Sequence, residues 1–280
     1  MKRESINLKK VCNVAIGDDI GAYHYKRVFC RFDAKGRIND YFIRKIENKV
    51  IPWYATWCQP WPVNYVDREP FRGINGFLLR SNYCGFCPYL VSESHIDEKE
   101  ITIRKRERGT PVILKKEGEH CIEYVYNMRQ LEGVAMPAIK KPEKPPAQEE
   151  AARVFSFFRD YKSHDDFNYT LDDFTGQDPD FFYFLMFQYF CYTWYCETYQ
   201  KELSFKPDQH NKETLIYQIG AALLASYCRI STPFYSISGY DRNLWKMLLM
   251  SDCNVIFNAT AIALKMFDAF LAAAEMKKAS

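Results

Sequence analysis

Between Trp57 and Arg80, flat aromatic rings alternate with guanidinium groups: Trp57, Trp61, Tyr65 and Phe71 interleave with Arg68, Arg72 and Arg80, and Asn75 stands among them. Such rings offer faces on which unpaired bases stack, at roughly 1–3 kcal/mol per base, while arginines neutralise the phosphates between them. Asn75 suits hydrogen bonding to a base edge or the holding of a turn. A second basic element, Arg104-Lys105-Arg106-Glu107-Arg108-Gly109, adds Lys105, Arg106 and Arg108 to the same set. Tryptophan–proline clusters equally wedge a domain's own core, and Asn75 and Gln130 equally satisfy backbone groups, so a packing role stands beside the binding role for each ring and amide. The arginines are harder to assign to packing, because Arg68, Arg72, Arg80, Arg104, Arg106 and Arg108 share one short stretch.

Other chemistry-bearing residues are sparser. Cys84 and Cys87 form a C-x-x-C pair that Cys58 and His95 could complete, but a lone pair is a weak metal signal. His24, His95, His120, His164 and His210 are scattered, with no H-x-x-x-H spacing. Asp172, Asp173 and Asp178 gather ahead of an apolar run, where acids cap or solvate a helix start more readily than they ligate a metal. Ten cysteines in 280 residues accompany 48% hydrophobic residues, enough to build a core without a disulfide framework. Met1-Lys2-Arg3-Glu4 opens without the apolar stretch of a secretory signal, so reduced thiols and a cytoplasmic location are expected.

The elements that must position these residues can be read from pattern. Residues 1–140 carry 24 Lys/Arg against 17 Asp/Glu (+7) and residues 141–280 carry 14 against 18 (−4), together the net +3. The first half is therefore the one suited to a polyanion. Lys140 to Glu150 is rich in proline and charge and reads as a linker. Before it, Ile38, Tyr41, Phe42 and Ile46 predict an amphipathic helix over Arg37–Val50. Ile101–Arg104, Pro111–Lys115 and Ile122–Tyr126 predict strands of a small sheet, and Tyr23–Phe32 a further one. After it the pattern turns helical over Asp180–Tyr199, Glu213–Tyr227 and Val255–Leu271, the last preceded by Ser251 and Asp252 as caps. The 180–199 run is interrupted by Gln188 and crowded with tyrosine. It reads as a core helix, apolar all round, and no membrane partner is expected.

Trp57-Cys-Gln-Pro-Trp61, Asn64 and Pro70-Phe-Arg-Gly-Ile-Asn-Gly-Phe-Leu-Leu79 together resemble the N-terminal domain of ArdC-type antirestriction proteins. Arg104–Val112 is similar to that family's G-x-x-V-x-K-G-E-K-G-T-P-V turn, keeping Glu107, Gly109, Thr110, Pro111 and Val112; Arg106 and Arg108 stand where the family has glycine and lysine. Tyr126-Asn-Met-Arg-Gln-Leu-Glu-Gly133 matches its F-N-x-x-Q-x-E-G segment. Three ordered motifs over about residues 38–134 carry the likeness. It implies single-stranded DNA as partner and an origin in plasmids, phages or integrated elements.

The resemblance also implies a second, zincin-like metallopeptidase domain. There the family carries H-E-x-x-H on one helix, which sets two histidines on one face with a general-base glutamate between them, and a third ligand on a later helix. Asp180–Phe187 resembles the lead-in and Glu213–Ala222 the third-ligand helix. The ligand positions, however, fall on Gln188, Tyr192 and Gln218, and the base on Tyr189. Amides and phenols are poor ligands for a catalytic zinc. A pseudoenzyme with no cofactor and no metal is expected.

The sequence thus predicts an α+β protein. Residues 1–37 form an N-terminal extension, 38–136 a small mixed sheet-plus-helix domain binding single-stranded DNA, 137–152 a linker, and 153–280 a mostly helical, degenerate zincin-like domain. The alternative is a protein-interaction module that holds a host or element protein through the C-terminal domain without cutting it.

Overall fold

Ile38, Phe42 and Ile46 recur every four residues and are buried together on helix α1 (Ala34–Glu47). Arg44 and Lys45 occupy its last turn, where cations meet the negative end of the helix dipole. Instead of running on to Val50, the helix ends where Lys49 turns into the left-handed region (φ 64°) and the Val50 N–H reaches back to the Lys45 carbonyl (2.9 Å). A 3-10 turn, Pro52–Tyr54, then seats Trp53 fully inside the core. The computed structural model describes residues 34–54, 61–82, 87–116, 119–135, 137, 149, 151–156, 179–200, 211–228, 230 and 239–279. The expected strand at Tyr23–Phe32 and most of the expected linker lie outside the described residues, but residues 151–156 are helical and bury Ala151 and Val154.

The sheet has four strands, β1 (Val63–Asn64), β2 (Tyr89–Ser92), β3 (Thr110–Lys116) and β4 (Glu119–Asn127), in the order β1-β2-β4-β3. β1 runs parallel to β2, while β4 is antiparallel to both β2 and β3. The mixed α+β class and the strands around Pro111 and Ile122 are as the alternation implies. Ile101–Arg104 does not become a strand; only Ile103 bridges Leu131. The reason is local. Arg104 N–H bonds the Gln130 carbonyl (2.8 Å) and Glu132 N–H bonds Thr102 (2.9 Å), so this segment pairs with the turn after β4 rather than with the sheet.

Side chains alternate across the strands, and each face has its own cover. Helix α2 (Gly73–Asn82) sends Leu79 against Leu90, Val112 and Val125. On the other face, Ile96 of the short α3 (Glu93–Glu98) joins Cys87, Val91, Tyr126, Met128 and Leu131 in a satellite core. α3 is begun by Ser92, whose hydroxyl accepts from His95 N–H (3.3 Å).

Among the described residues of the second half, the helical segment 151–156 is followed by α4 (Pro179–Tyr199), α5 (Lys212–Cys228), α6 (Gly239–Ser251) and α7 (Val255–Ala279). α5 packs against α4, α7 and the Trp53 turn, and residues from Thr214 to Cys228 are buried on every face of it. α6 is a helix not expected from the sequence, although its buried Trp245 and Leu249 stand four residues apart. Asp252 does help start α7, accepting from Asn254 N–H (2.9 Å), whereas the Ser251 hydroxyl bonds back to Leu248 (2.7 Å) and closes α6. Among the described helices only Val255–Ala272 is long and apolar enough to cross a membrane; Val255, Ile256, Ala259, Ala263 and Met266 of that stretch are core residues.

One core joins the two halves. It takes Ile38, Phe42, Trp53, Phe77 and Leu78 from the first and the inner faces of α4 to α7 from the second. Asn39 donates to the Leu249 carbonyl (2.8 Å), and Trp53 meets Trp245 edge-on at 5.2 Å between ring centres. Gly76 allows the close approach of α2 to the chain before it: a Cβ there would fall on the Phe71 carbonyl oxygen and within 2.7 Å of the Trp61 ring. Because backbone cannot give way cheaply, Gly76→Ala is expected to lower stability by about 1–3 kcal/mol, read as an earlier urea midpoint at unchanged slope.

Candidate nucleic-acid interface and the metal-ligand positions

The loop from β1 to Pro70 is short and fully tied. Asn64 accepts at its side-chain oxygen from Val66 N–H (3.0 Å), and Asp67 accepts from Glu69 N–H and from the Asn64 amide (2.9 Å each). Backbone bonds Arg68 N–H to Asn64 (3.0 Å) and Asn64 N–H to Glu69 (2.9 Å) close the turn. This geometry drives Arg68 into the left-handed region at φ 64°. Its side chain is exposed and lies over two rings, 4.4 Å from the centre of Tyr65 and 5.0 Å from that of Tyr89. The two tyrosines are themselves edge-to-face at 6.2 Å and lean on the satellite core. Tyr89 was not among the residues expected from sequence; its alternation with Val91 on β2 is the signal that places it on the Tyr65 side.

The basic turn borders the same satellite core, since Ile101 and Ile103 pack against it immediately before Arg104. Lys105, Arg106 and Arg108 are all exposed there. Gln130 holds the turn in place: its amide nitrogen donates to the Glu107 carboxylate (2.7 Å) and to the Arg108 carbonyl (3.1 Å), and its oxygen accepts from Asn127 N–H (2.7 Å). With Asn127 accepting from Arg129 N–H, this is a reciprocal cap on the 3-10 turn Met128–Gln130. Arg104 bonds the Leu131 carbonyl through Nε (3.1 Å). Gly109 is pressed against Tyr124 and Tyr126, where a Cβ would approach within 2.9 Å.

Other expected contacts turn inward. Trp61 is half-buried, donates its indole N–H to the Phe71 carbonyl and packs on the main core. Phe71 packs on the Leu79–Leu90 cluster. The Arg80 guanidinium stacks 5.1 Å from the Trp61 ring and bonds the Ser226 hydroxyl on α5, which places it in the seam between halves. Asn75 holds an edge strand, donating to the Ile113 carbonyl (2.6 Å) and accepting from Ile113 N–H (2.9 Å). Arg72 remains exposed at the start of α2, and Trp57 lies outside the described residues, as do Cys58, Cys84 and Asp172, Asp173 and Asp178. Cys87 is buried, and burial pushes its thiol up.

Gln188, Tyr192 and Gln218 are buried where α4 meets α5. The Gln218 amide oxygen accepts from Trp53 Nε1 (3.2 Å). Tyr192 lies edge-to-face on Tyr217 (5.5 Å) and beside Tyr189 (6.3 Å). Burial raises the Tyr217 pKa, keeping a neutral phenol near Thr214 (3.1 Å), and burial likewise raises the Cys191 thiol well above its usual value. Neutral amides and phenols in an aromatic environment do not fit a divalent cation, which prefers histidine, thiolate or carboxylate. Among the described residues no three His, Cys, Asp or Glu side chains cluster to hold one.

The family described as the N-terminal domain of anti-restriction factor ArdC matches residues 32–164. Those residues are an ArdC-type N-terminal domain. Two solved structures of the antirestriction ArdC protein from plasmid R388 are similar over most of the chain. The metal-free one has a TM-score of 0.56 at 18% identity, and the Mn(II)-bound one 0.59 at 19%; each alignment covers 87% of this chain and 98% of that one. At such identities the likeness establishes the ArdC fold, with its N-terminal domain and helical part. No curated protein matches the chain by sequence.

Within the ArdC-type domain the motifs have structural content. The Pro70–Leu79 motif builds α2 and, through Asn75, pins β3. The Tyr126–Gly133 motif caps the turn after β4 and, through Gln130, pins the basic turn. At Arg106, φ is 70°, the backbone region that favours the glycine of the family pattern. If Asn75 serves the edge strand rather than a ligand, Asn75→Ala should lower stability by about 1–3 kcal/mol. Its affinity for single strands, measured under conditions where the variant is fully folded, should match wild type.

Proposed function

We propose that this chain binds single-stranded DNA through the sheet face bordered by Arg68 and the basic turn, and that it serves antirestriction in the cytoplasm without peptidase activity. The observation that carries this reading is the placement of two exposed arginine-bearing turns around one satellite core, one of them with its guanidinium over two tyrosine rings. The ArdC-type domain match supports a DNA-related partner. Cations on rigid, hydrogen-bonded turns beside aromatic surface combine phosphate neutralisation with stacking.

Arg68, Lys105, Arg106 and Arg108, with Arg72 at the start of α2, are exposed cations of this domain. If all five meet phosphates, the single-strand slope of log K against log salt is about −3.5. Affinity should then fall roughly a hundredfold between about 50 and 200 mM salt. Titration of a labelled oligonucleotide at several salt concentrations tests this; no binding to single strands at low salt would overturn the reading.

A helical part without peptidase chemistry is supported by the side chains at the ligand positions. One solved ArdC structure is Mn(II)-bound, so manganese and zinc are the ions to test. A bound ion stabilises the folded state in proportion to log concentration. Millimolar Mn(II) or Zn(II) should therefore leave the melting temperature unchanged, and metal analysis after dialysis should find neither ion in stoichiometric amount. A rise in melting temperature with a retained ion would overturn the pseudoenzyme reading.

A further inference from the structure

The Tyr65–Arg68–Tyr89 cluster carries more than a phosphate contact. A lysine or arginine aimed only at phosphate gains from reaching freely into solvent. Arg68 instead lays its guanidinium on Tyr65 at 4.4 Å and on Tyr89 at 5.0 Å, in the corner made by two rings held edge-to-face. The rings are half-buried and lean on the satellite core, and the exposed guanidinium lies over both. A ligand approaching this corner meets the planar cation first, with the tyrosines behind it.

The backbone adds a second observation. Arg68 sits at φ 64° in a turn closed by Asn64 and Asp67, where glycine is the residue with least strain. Holding a residue with a Cβ in that conformation is unfavourable unless the side chain is needed where the turn puts it. Among the described residues no ion pair involves Arg68 and so none explains it.

We infer that the Arg68 guanidinium, backed by Tyr65 and Tyr89, is the plane on which an unpaired nucleobase stacks. A guanidinium is flat, weakly hydrated and delocalised, and can stack a π-face on each side; an ammonium attracts a ring but offers no plane to stack. Any base has such a face, so the site discriminates an exposed base from none, not one base from another. This rests on the nucleic-acid reading above and gives Arg68 and Tyr89 a role within it.

The test separates charge from stacking. Wild type, Arg68→Lys and Arg68→Gly full-length chains are titrated with a thymidine oligonucleotide and with an abasic strand carrying the same number of phosphates. Wild type should prefer the base-bearing strand by about tenfold or more, the worth of one stacked base. Arg68→Lys, which keeps the charge, should bind both strands alike, near the wild-type level for the abasic one. Arg68→Gly should do the same at weaker overall affinity, with a melting temperature no lower than wild type because φ 64° suits glycine. Arg68→Lys retaining the preference would overturn the inference, as would a wild type that binds the two strands equally. A wild type that binds neither strand overturns the nucleic-acid reading and this role with it.

Discussion

The burial of α5 is the constraint on which the rest of the structure depends. The helix is enclosed by α4, α7 and the Trp53 turn, and from Thr214 on its polar residues Thr214, Gln218 and Ser226 are buried along with its apolar ones. Each buried polar group must find a partner, since an unmet one costs as much as a lost core contact. Thr214 is met locally, its hydroxyl donating to Asn211 at 2.7 Å. Gln218 and Ser226 are met from the first half of the chain, by Trp53 and Arg80. Two buried polar side chains of the central helix of the second half thus bond to the first half of the chain.

Those bonds explain why some aromatic and basic residues are spent inside. Arg80 and Trp61 look like a ligand-binding pair in sequence, yet their stacking serves the seam between α2 and α5. The residues left outside are those on turns whose backbone is closed by side-chain amides and carboxylates, Asn64 and Asp67 in one and Gln130 in the other. Such turns keep a defined shape without a core of their own, which suits surfaces that must present charge in a fixed arrangement. Where a glycine would relax the chain, arginines stand at positions 68 and 106.

The meeting of α4 and α5 shows the same economy of polar groups from the other side. Gln188, Tyr192 and Gln218 are buried on these helices; Tyr192 lies on the Tyr217 ring and Gln218 accepts from the Trp53 indole. An amide that accepts from an indole and a phenol edge-on to another ring are components of a packed interior. Their chemistry at this junction is cohesive: it joins helices and halves.

Much of this was legible in the linear sequence. Helical periodicity located α1, whose buried face repeats every four residues, while long apolar runs located α4, α5 and α7. Alternation found β3 and β4, and the ordered motifs marked the ArdC-type domain. No histidine or glutamate stands between Phe181 and Cys196, so the positions that the resemblance assigns to metal ligands carry amides and phenols. The sequence did not separate Arg68 from Arg80 or Asn75 from a base-reading amide, since composition is the same whether a side chain faces solvent or a neighbouring helix. Only the docking of α2 on α5 and of Asn75 on the free edge of β3 decided that. Tyr89 and the pairing of residues 101–104 with the turn after β4 were likewise hidden, because both depend on which distant strand lies alongside. Local spacing determines which elements form; the contacts between elements decide which of their residues remain free to act.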